Sequence, residues 1–390
     1  MTNLNLFAQI ITKLSRPAFK KIVQEKGTDK HHKGCDSWTH LICMLFCQFA
    51  NCQSVRDISN GLRSATGNLN HLGIQTAPSK STISYQNQRR DWTIFEAYYH
   101  ELQTHLSHLS GFKKRRFRIK SKILLLDATV ITLCLSVFDW AKYKTNKGAV
   151  KLHTLLDYDG NLPVYVNITD GKVADNKGAY DIPLEKGSVI VADRYYIDLE
   201  LLNKWDSNQV RFVVRHKNNM RFEVIKEFAL NKEKYPNILK DELIVFTGHK
   251  SRKRYAKQLR RVEVWDEKNQ KVIKVITNQI SWTANTISEL YKSRWEIETF
   301  FREIKGLLHI KSFIGTSENA VRIQIWTALI TILILKFLKS GAKYNWHLSN
   351  MVTFIRLNLF VKIDLHLWLN KPFRQTPIKS KMVVQGDLFG

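Results

Sequence analysis

Three acidic residues far apart in the chain have settings that are typical of reactive groups. Asp127 interrupts the apolar run ILLLDATV, and a charge within a buried strand is costly unless it is paired or binds a metal. Asp193 follows the apolar run VIVA, and ligands bind at the carboxyl ends of strands in open α/β sheets. The simpler alternative for Asp193 is an N-cap of the following helix. Glu298 is the third acid, and its neighbours on a predicted helix set it apart.

The stretch YKSRWEIETFFREIKG predicts one amphipathic helix that contains Glu298. At about 100° per residue, four polar residues fall within about 60° of one another beside the apolar stripe, namely Tyr291, Arg294, Glu298 and Lys305. Glu303 falls on the opposite side, which we interpret as an ordinary solvated face. An ion pair between Arg294 and Glu298 at i,i+4 explains only two of the four.

Three carboxylates without supporting Cys or His residues form a set of hard oxygen ligands. Such ligands suit Mg²⁺ or Mn²⁺ rather than zinc. Two of these ions about 4 Å apart can activate a water or a 3′-hydroxyl and stabilise the leaving oxygen in a phosphodiester displacement. We therefore expect Asp127, Asp193 and Glu298 to be both metal ligands and catalytic residues.

The charge balance of the chain favours a polyanionic partner. Lys and Arg number 61 against 34 Asp and Glu, and the formal charge is +27 with a pI near 9.8. Nucleic acid is the leading candidate, because each neutralised phosphate releases counterions. An anionic membrane is the alternative, but we find neither a basic amphipathic helix nor a lipidation motif.

A basic segment, GFKKRRFRIKSK, precedes the first predicted strand. We interpret it as a segment that follows DNA phosphates, with a solvated linker as the alternative. The residues that would contact phosphate there are Lys113, Lys114, Arg115 and Arg116.

Features of the chain indicate a cytoplasmic protein. The N-terminus lacks the pattern of a signal peptide. The apolar run IWTALITILILKFL is short for a bilayer span of about 20 residues, so it predicts a buried core helix. Five Cys without a CxxC pair indicate reduced thiols. We expect Cys43, Cys47 and Cys52 to pack in a helical core, with a zinc site formed with the nearby HHKGC sequence as the less favoured alternative.

Periodicity divides the chain into regions of different structure. Residues 1–110 are predicted to be helical, either as a helix-turn-helix-like DNA reader whose last helix is rich in Ser, Gln and Arg, or as a plain bundle. From Lys122 the order strand, strand, strand, helix, strand, helix, strand predicts a mixed sheet with helices packed on it. Alternating strands between about Lys217 and Thr286 predict an antiparallel insertion. The C-terminal end has no periodicity and is predicted to be a loose tail.

These residues, taken together, resemble the DDE transposases of bacterial insertion sequences. The branch that is most similar is the insertion-sequence-four family, defined by a Tyr-Arg-Glu-Lys signature. The signature appears here as Tyr291-x2-Arg294-x3-Glu298-x6-Lys305, after Asp127 and Asp193. The surrounding sequences ADRYY, VKLH and SRWEIETFFREIKG are also similar, and the resemblance spans roughly residues 122–338.

The resemblance implies a mixed α/β fold. Its catalytic core is ribonuclease-H-like, interrupted by a β-rich insertion and preceded by a helical N-terminal domain. The expected division is 1–110 for the helical DNA-binding domain, 120–216 for the first part of the core, 217–286 for the insertion, 287–340 for the second part of the core with the Glu298 helix, and 341–390 for the C-terminal region and tail.

The resemblance also implies a function, namely cut-and-paste DNA transposition. Such an enzyme cleaves DNA at the ends of the insertion sequence and transfers the freed strands into target DNA, using two Mg²⁺ or Mn²⁺ ions. Tyr291, Arg294 and Lys305 would hold DNA phosphate near the cut. The N-terminal helices would recognise the terminal inverted repeats, and a homodimer would pair the two ends. The protein would work in the bacterial cytoplasm, associated with the nucleoid.

Trp282 and His153 carry two interpretations each, and Arg215 carries one. Trp282 either stacks on an extruded base, as an insertion-domain Trp does in some relatives, or is a buried aromatic. His153 either lies near the metals or is a hydrogen-bonded histidine of the sheet. Arg215 ends a predicted strand, where we expect it to touch the backbone of bound DNA.

Two other functions remain compatible with the same core. A structure-selective nuclease or resolvase would cut DNA without strand transfer and would not need the phosphate-gripping signature. A non-catalytic DNA-binding derivative of a transposase would tolerate loss of an acid, and the presence of all three acids favours catalysis.

Overall fold

The computed structural model describes residues 4–30, 32, 34–65, 67–109, 117, 119–133, 138, 140–144, 147–307 and 313–373 of the 390-residue chain. Within them the fold is mixed α/β. A helical N-terminal part is followed by one large sheet with helices on its faces. Lys113, Lys114, Arg115 and Arg116 lie outside the described residues, as do residues 374–390 of the predicted tail.

The N-terminal part consists of helices, as the sequence predicts. They are α1 (Leu6–Ile11), α2 (Arg16–Lys26), α3 (Ser37–Ala50), α4 (Val55–Ser64), α5 (Lys80–Arg89) and α6 (Thr93–Leu109), with a 3-10 turn at Asn70–Leu72. Their starts coincide with capping residues. The Asp36 side chain accepts from the Thr39 N–H at the start of α3, and Ser54 and Asp57 form a capping box at the start of α4.

The connection between α4 and α5 differs from that of a helix-turn-helix motif. Such a motif joins its helices by a turn of three or four residues. Here residues 65–79, which include the 3-10 turn, separate α4 from α5. The tight turn that the helix-turn-helix-like interpretation requires is therefore absent between these two helices.

The described part of the sheet contains ten strands. They are β1 (Ile123–Leu133), β2 (Lys142–Lys144), β3 (Lys147–Asp157), β4 (Leu162–Asp170), β5 (Val189–Ala192), β6 (Arg211–Arg215), β7 (Phe222–Glu227), β8 (Ile238–Phe246), β9 (Leu259–Asp266) and β10 (Lys271–Thr277). Three short helices lie between strands, namely α7 (Asp175–Gly178), α8 (Leu199–Ser207) and α9 (His249–Arg254). The remaining helices are α10 (Ala284–Lys292), α11 (Trp295–Leu307), α12 (Glu318–Ser340), α13 (Leu348–Leu357) and α14 (Leu365–Asn370).

The first half of the sheet is the mixed arrangement expected of a ribonuclease-H-like core. β3 pairs antiparallel with both β1 and β4, and β5 pairs parallel with β1 and β6. The spatial order is therefore β4, β3, β1, β5, β6, and the predicted order of strands and helices along the chain is confirmed. The short strand β2, which extends the β3 edge, was not predicted.

The predicted insertion does not form a separate sheet. β7, β8, β9 and β10 are antiparallel to one another, as alternation in the sequence indicates. β10 then pairs antiparallel with β6, so the insertion continues the sheet of the core.

A central apolar helix, α12, joins the N-terminal helices to the sheet region. It packs against α3, α5 and α6 on one side and against α11 and α13 on another. By length and composition it could cross a membrane, but 83% of its most apolar window is buried inside the protein. The prediction of a buried core helix is thus confirmed.

The cysteine-containing helix α3 lies in the same core. Cys43 and Cys47 are buried in it, as expected of residues that pack in a helical core. Cys52 lies half-buried beyond its end, where its carbonyl oxygen is 3.8 Å from the Cys47 Sγ.

The single helix predicted from Tyr291 onward is wrong, because the chain turns between α10 and α11. Ser293 Oγ donates to the Leu290 carbonyl at 2.6 Å. The N–H groups of Arg294 and Glu296 bond to carbonyls three residues back, at Tyr291 and Ser293. Such tight i to i−3 bonding ends one helix and starts the next. Arg294 lies in the turn itself.

Candidate active site

Two of the predicted acids are brought together by the register of the sheet. In the parallel pair of β1 and β5, Leu126 lies opposite Ala192. Asp127 and Asp193 each come next in their strands, so they lie side by side at the carboxyl end of β5. Both project toward the face that packs on α10 and α11, since side chains two residues apart share a face.

Asp193 satisfies both interpretations made from the sequence. It is half-buried, and its Oδ1 accepts the Arg194 N–H at 2.6 Å, which caps the 3-10 turn Arg194–Tyr196. Asp127 likewise uses Oδ1 to accept its neighbour's N–H, that of Ala128, at 2.8 Å. Each carboxylate therefore keeps its second oxygen for other partners.

Glu298 is linked to Asp127 through the guanidinium of Arg294. Arg294 Nη2 lies 2.6 Å from Glu298 Oε1, and Arg294 Nη1 lies 3.5 Å from Asp127 Oδ2. The first contact is the i,i+4 pair that the sequence predicts. The second joins the turn before α11 to strand β1, which an ordinary pair within one helix does not do.

The apolar face of α11 explains why Glu298 stands at this edge. Ile297, Phe300, Phe301 and Ile304 are buried against the sheet and α12, as the apolar stripe predicts. Glu298 lies beside that stripe in the first helical turn, where the helix dipole favours an acid.

Electrostatics at the site show that the three carboxylates lie close enough to interact. Burial raises the pKa of Asp127 to about 6. The Ala128 N–H and the Arg294 guanidinium oppose this rise in pKa, and the charges of Asp193 and Glu298 add to it. Close like charges favour the protonated form of a carboxyl, so one cation is not enough to balance this cluster.

Arg294 itself is 8% exposed and is held in its charged form. Burial disfavours its charge, but Tyr291, Glu298 and Asp127 outweigh that effect and raise its pKa. Tyr291, at the end of α10, lies with its ring centroid 5.9 Å from the Arg294 Cζ. The two signature residues therefore remain neighbours although the predicted single helix is broken.

Arg215 also belongs to this group. It ends β6, and it follows Val214, which lies opposite Ala192 of β5. Burial raises the pKa of Tyr291, while Arg294 and Arg215 lower it and Asp193 raises it. Arg215 and Asp193 thus lie within electrostatic reach of the same phenol.

Two buried donors at the site lack hydrogen-bond acceptors among the described residues. They are the Tyr291 hydroxyl and the Arg294 Nε. An unsatisfied buried donor costs about 1–3 kcal/mol, so such groups are rare unless a ligand or water completes them. Both donors are suited to an anionic oxygen such as that of phosphate.

The donor set fits a divalent cation by its chemistry, since Asp127 and Glu298 share one guanidinium that balances part of their charge, and Asp193 lies beside Asp127. The present arrangement is not a preformed ligand shell. Among the residues that the structure describes, no three Asp, Glu, His or Cys side chains surround a point at which a metal ion could bind. Arg294 lies between two of the acids instead.

The other predicted residues do not all converge on this edge. Lys305 is exposed in the last turn of α11, roughly 10 Å along the helix from Glu298 at 1.5 Å per residue. Trp282 is half-buried beside Arg211, whose Cζ lies 6.0 Å from its ring centroid. Arg211 begins β6, about 13 Å from the Arg215 end of that strand at 3.3 Å per strand residue. Trp282 therefore lies beside the end of β6 that is farther from Asp193.

His153 lies on the opposite face of the sheet from Asp127. In the antiparallel pair, Asp127 faces Thr154, and Ala128 faces His153. His153 is buried, and its Nε2 lies 3.0 Å from the Thr169 Oγ1. Of the two interpretations made from the sequence, the structure supports the hydrogen-bonded histidine of the sheet.

One residue that sequence reasoning missed is Tyr196, in the ADRYY segment. It is 1% exposed, and the charges of Asp127, Asp175 and Asp193 add to the rise in its pKa that burial causes. Its hydroxyl has no hydrogen-bond partner among the described residues. Its signal in the sequence was a second aromatic three residues after Asp193.

A second missed feature is a buried ion pair behind Glu298. Lys336 Nζ of α12 lies 3.2 Å from Glu303 Oε2 of α11. It also donates to the Asn161 carbonyl at 2.8 Å and lies 4.9 Å from the centroid of the Phe300 ring. The prediction that Glu303 faces solvent is therefore wrong, because α12 covers that side of the helix.

Comparison with known proteins identifies the family to which this site belongs. Residues 118–334, more than half of the chain, match the family described as Transposase DDE domain. The chain belongs to this family. Residues 2–75 match a second family, described as a domain of unknown function (DUF4372).

Curated relatives of the chain are named as transposases, two of them for insertion sequence elements. It is 29% identical over 248 residues to a probable transposase for insertion sequence element IS5377 of Geobacillus stearothermophilus, covering 62% of this chain and 64% of that one. It is 28% identical to the putative transposase y4zB of Sinorhizobium fredii, covering 67% and 71%. It is 26% identical to a putative transposase for insertion sequence element IS4SA of Synechocystis, covering 75% and 81%.

Among solved structures, a piggyBac transposase synaptic complex with hairpin DNA is similar at 10% identity. The TM-score is 0.42, with 95% of this chain and 80% of that chain covered.

The family match confirms the resemblance to DDE transposases, and the mixed sheet with helices on its faces confirms the α/β fold class predicted from the sequence. The DDE transposase family carries out DNA transposition, and no comparison favours the nuclease or non-catalytic alternatives. DDE transposases generally use divalent metal ions and bind DNA.

Proposed function

We propose that this DDE transposase catalyses cut-and-paste transposition of an insertion sequence. It would cleave DNA at the ends of the element and join the freed 3′ ends to target DNA. The observation that carries the proposal is the bridge from Arg294 to both Glu298 and Asp127, with Asp193 beside Asp127 in the sheet. It supports an active site in which these three acids work as a unit.

Asp127, Asp193 and Glu298 are the proposed ligands of two divalent ions, Mg²⁺ or Mn²⁺. When bound, the ions supply Lewis-acid activation of a water or 3′-hydroxyl and stabilisation of the leaving oxygen. The chain positions the acids on elements that do not move easily, because two lie on paired strands and the third lies on a helix with a buried apolar face. Rigid support of this kind is what catalysis by positioning requires.

The DNA strand being cut would be held by the unsatisfied donors of the site. The Tyr291 hydroxyl and the Arg294 Nε can each donate to a phosphate oxygen. Arg215 adds a charge at the end of β6, and Lys305 would contact phosphate farther along the strand as a point charge. The distance of Trp282 from the acids argues against a direct role for it at the cut.

The wider organisation is also a proposal. The division at about residues 110, 216, 286 and 340 assigns end recognition to the N-terminal helices and catalysis to the sheet region. The basic segment with Lys113, Lys114, Arg115 and Arg116 would follow DNA phosphates between them. A homodimer would hold two element ends, since both must join one target. The enzyme would act in the bacterial cytoplasm, associated with the nucleoid.

The direct test uses the purified full-length chain and duplexes taken from the DNA that flanks its coding region. With Mg²⁺, the wild-type protein is expected to nick these ends and to join them to a plasmid. Asp127→Asn should abolish both products while leaving DNA affinity unchanged, because an amide is a poor ligand for the ions but keeps the shape of the side chain.

Asp181→Asn is the matched control, because Asp181 is exposed in the segment before β5. It should cut and join like the wild type. Cleavage by Asp127→Asn at the wild-type rate would overturn the proposal. Cleavage without joining by the wild type would favour a nuclease on the same core.

A further inference from the structure

Helix α5 is fixed to the rest of the protein along one side. Asn87 is buried, and its Oδ1 lies 2.8 Å from His40 Nε2 of α3. Asn319, at the start of α12, donates from Nδ2 to the carbonyls of Asn87 and Arg90, both at 2.8 Å. The inner side of α5 is therefore held by two other helices through buried polar contacts, which fix its orientation.

Arg90, just after α5, holds the end of the helix in place. Its guanidinium is buried and donates to Asp29 Oδ1 at 2.8 Å, to Gln86 Oε1 at 2.7 Å and to the Cys35 carbonyl at 2.7 Å. At the other end, Ser79 caps α5, and Ser59 of α4 donates to the Pro78 carbonyl at 2.8 Å. Both ends of a ten-residue helix are thus anchored.

The outer side of α5 is polar, exposed and without acids. Its exposed residues are Lys80, Ser81, Ser84, Tyr85, Gln88 and Arg89. They form three adjacent pairs, and each pair begins four residues after the previous one. This spacing places all six residues on one face of the helix. Tyr85 is 59% exposed. None of these side chains supports the core, so the fold alone does not explain the composition of this face.

The chain segment that contains α5 has no acidic residue over a long stretch. From Ile58 to Arg90 the sequence contains no Asp or Glu, while Arg63, Lys80 and Arg89 are exposed cations of this segment. The exposed Arg63 lies on α4, which packs against α5. This surface complements a polyanion, and its amide, hydroxyl and guanidinium groups are those that hydrogen-bond to base edges.

We propose that the outer face of α5 enters the major groove of duplex DNA and reads its sequence. The proposal rests on the proposed function, since it assigns to one helix the recognition of the element ends. The major groove admits one α-helix, and α5 projects its polar face outward while its other side is anchored. Gln88 and Arg89 are the base-reading residues, because Gln pairs with adenine and Arg with guanine through two hydrogen bonds each. Lys80 contacts phosphate.

The experiment selects DNA from a library of duplexes with a randomised central segment, using the full-length protein in 150 mM KCl, near physiological salt. The wild-type chain is expected to enrich one sequence. The double variant Gln88→Ala with Arg89→Ala should lose preference for that sequence about ten- to a hundred-fold, and should still bind unselected duplex. Both side chains are exposed, so the variant is expected to fold, and its thermal unfolding midpoint checks this.

The matched control removes one cation and one amide from α2, by Lys20→Ala with Gln24→Ala. Both residues are exposed, and this variant should enrich the wild-type sequence. Enrichment of that sequence by the α5 variant with affinity within about twofold would overturn the proposal. Failure of the wild type to enrich any sequence would overturn it as well.

A separate readout distinguishes the failure of this inference from the failure of the proposed function. Nicking of duplex DNA in Mg²⁺ depends on Asp127 rather than on α5. If nicking is lost in Asp127→Asn and sequence preference is unchanged in the α5 variant, the transposase proposal stands and α5 is not the reader. If the α5 variant loses preference but the wild type never nicks, α5 reads DNA for a non-catalytic protein.

Discussion

At the scale of single residues, Arg294 connects the acids of the site. Its guanidinium contacts Glu298 and Asp127 from a buried position. A buried charge is tolerated when it is paired, so the arginine and the acids stabilise one another. The acids still outnumber the cation that lies between them, which leaves Asp127 with a raised pKa.

The raised pKa of Asp127 predicts a pH-dependent effect of Asp127→Asn on stability. The folded protein binds a proton at Asp127 up to about pH 6, well above the ordinary aspartate value of 3.8. The stabilising contribution of the protonated carboxyl is therefore full below pH 3.8 and is lost as the pH rises through 6. In EDTA, Asp127→Asn should become more stable than the wild type by about 1–3 kcal/mol at pH 7.

Urea denaturation at pH 4, 5, 6 and 7 measures this difference. The difference in the free energy of unfolding between Asp127→Asn and the wild type should be smallest at pH 4. It should grow between pH 4 and 7. Asp181→Asn, at an exposed position, should track the wild type at every pH. A gap for Asp127→Asn that stays constant across this range would contradict the assigned electrostatics.

Sequence reasoning found the acids but not all of their partners. The interrupted apolar runs single out Asp127 and Asp193, and helical spacing predicts the contact between Arg294 and Glu298. The contact between Arg294 and Asp127 depends on the register of β1 and on the turn after α10, which no local pattern encodes. Tyr196 was missed for the same reason, since its approach to both aspartates exists only after β1 and β5 pair.

At the scale of elements, the Glu298 helix is supported from behind by a buried ion pair. Lys336 of α12 contacts Glu303 of α11 and the Asn161 carbonyl in the turn between β3 and β4. The Asn161 Nδ2 in turn lies 3.4 Å from Glu296 Oε2 of α11. One turn of the sheet thereby fixes both helices, which sets the position of Glu298 along the sheet.

A double-mutant cycle on this pair should show strong coupling. Lys336→Met or Glu303→Gln alone leaves a buried charge without its partner and should destabilise the fold by about 3 kcal/mol. The double variant should lose less free energy of unfolding than the sum of the losses in the two single variants. The coupling energy, measured by urea denaturation, should be about 1–3 kcal/mol.

The control for this cycle is the exposed pair Lys292 and Glu289 on α10, which lie 2.7 Å apart at i,i+3. Lys292→Met with Glu289→Gln should show coupling of only about 0.2–0.5 kcal/mol. Equal coupling in the two cycles would mean that burial of Lys336 adds nothing to the fixing of α11.

Elements were predicted well where one strong pattern governs them. The apolar runs predicted β1, β5 and β6, and the Asp157 to Gly160 turn signal predicted the hairpin of β3 and β4. The break after α10 was not predictable, because Ser293 and Arg294 are both compatible with a helix interior. It follows from a side-chain bond to the backbone and from the attraction of Arg294 to another strand.

At the scale of the whole molecule, one apolar core serves the N-terminal helices, one face of the sheet and the C-terminal helices. Phe7 and Leu45 of the N-terminal part, Val191 of the sheet and Met351 of α13 all belong to it. Backbone bonds from Leu6 and Phe7 to the carbonyls of Val361 and Leu359 connect the two ends of the described chain. The proposed N-terminal domain therefore shares its core with the catalytic region.

Buried histidines of the whole molecule predict loss of stability in mild acid. Burial lowers the pKa of His40 to about 3 and those of His153 and His216 to about 4. The stability from their neutral forms is present above pH 6.5, the ordinary value, and is lost as the pH falls through that value toward 4. In that window, each histidine should lower the free energy of unfolding by about 1.4 kcal/mol for every pH unit of acidification.

Replacing His153 by Gln tests this for one residue, because Gln can still bond to Thr169 but does not titrate. Unfolding by urea between pH 7 and 4.5 should be less pH-dependent in His153→Gln than in the wild type. The exposed His249 is the control, and His249→Gln should leave the slope unchanged. If the free energy of unfolding of His153→Gln depends on pH as steeply as that of the wild type, His153 takes up its proton equally well in the folded and the unfolded protein.

The composition predicted the kind of partner, but the sequence did not predict how the insertion is connected to the core sheet. A charge of +27 indicates nucleic acid whatever the fold. The alternating strands after residue 217 predicted an antiparallel insertion, but the pairing of β10 with β6 connects segments about 60 residues apart and has no local signal.

That pairing limits how the insertion can move. β6 pairs with β10 on one side and with β5, the strand that Asp193 directly follows, on the other. The insertion cannot swing on a flexible hinge without rupturing a row of backbone hydrogen bonds. A force applied by DNA to the hairpins beyond β10 would instead twist the whole sheet, and would reach the Asp193 carboxylate after crossing only two strands.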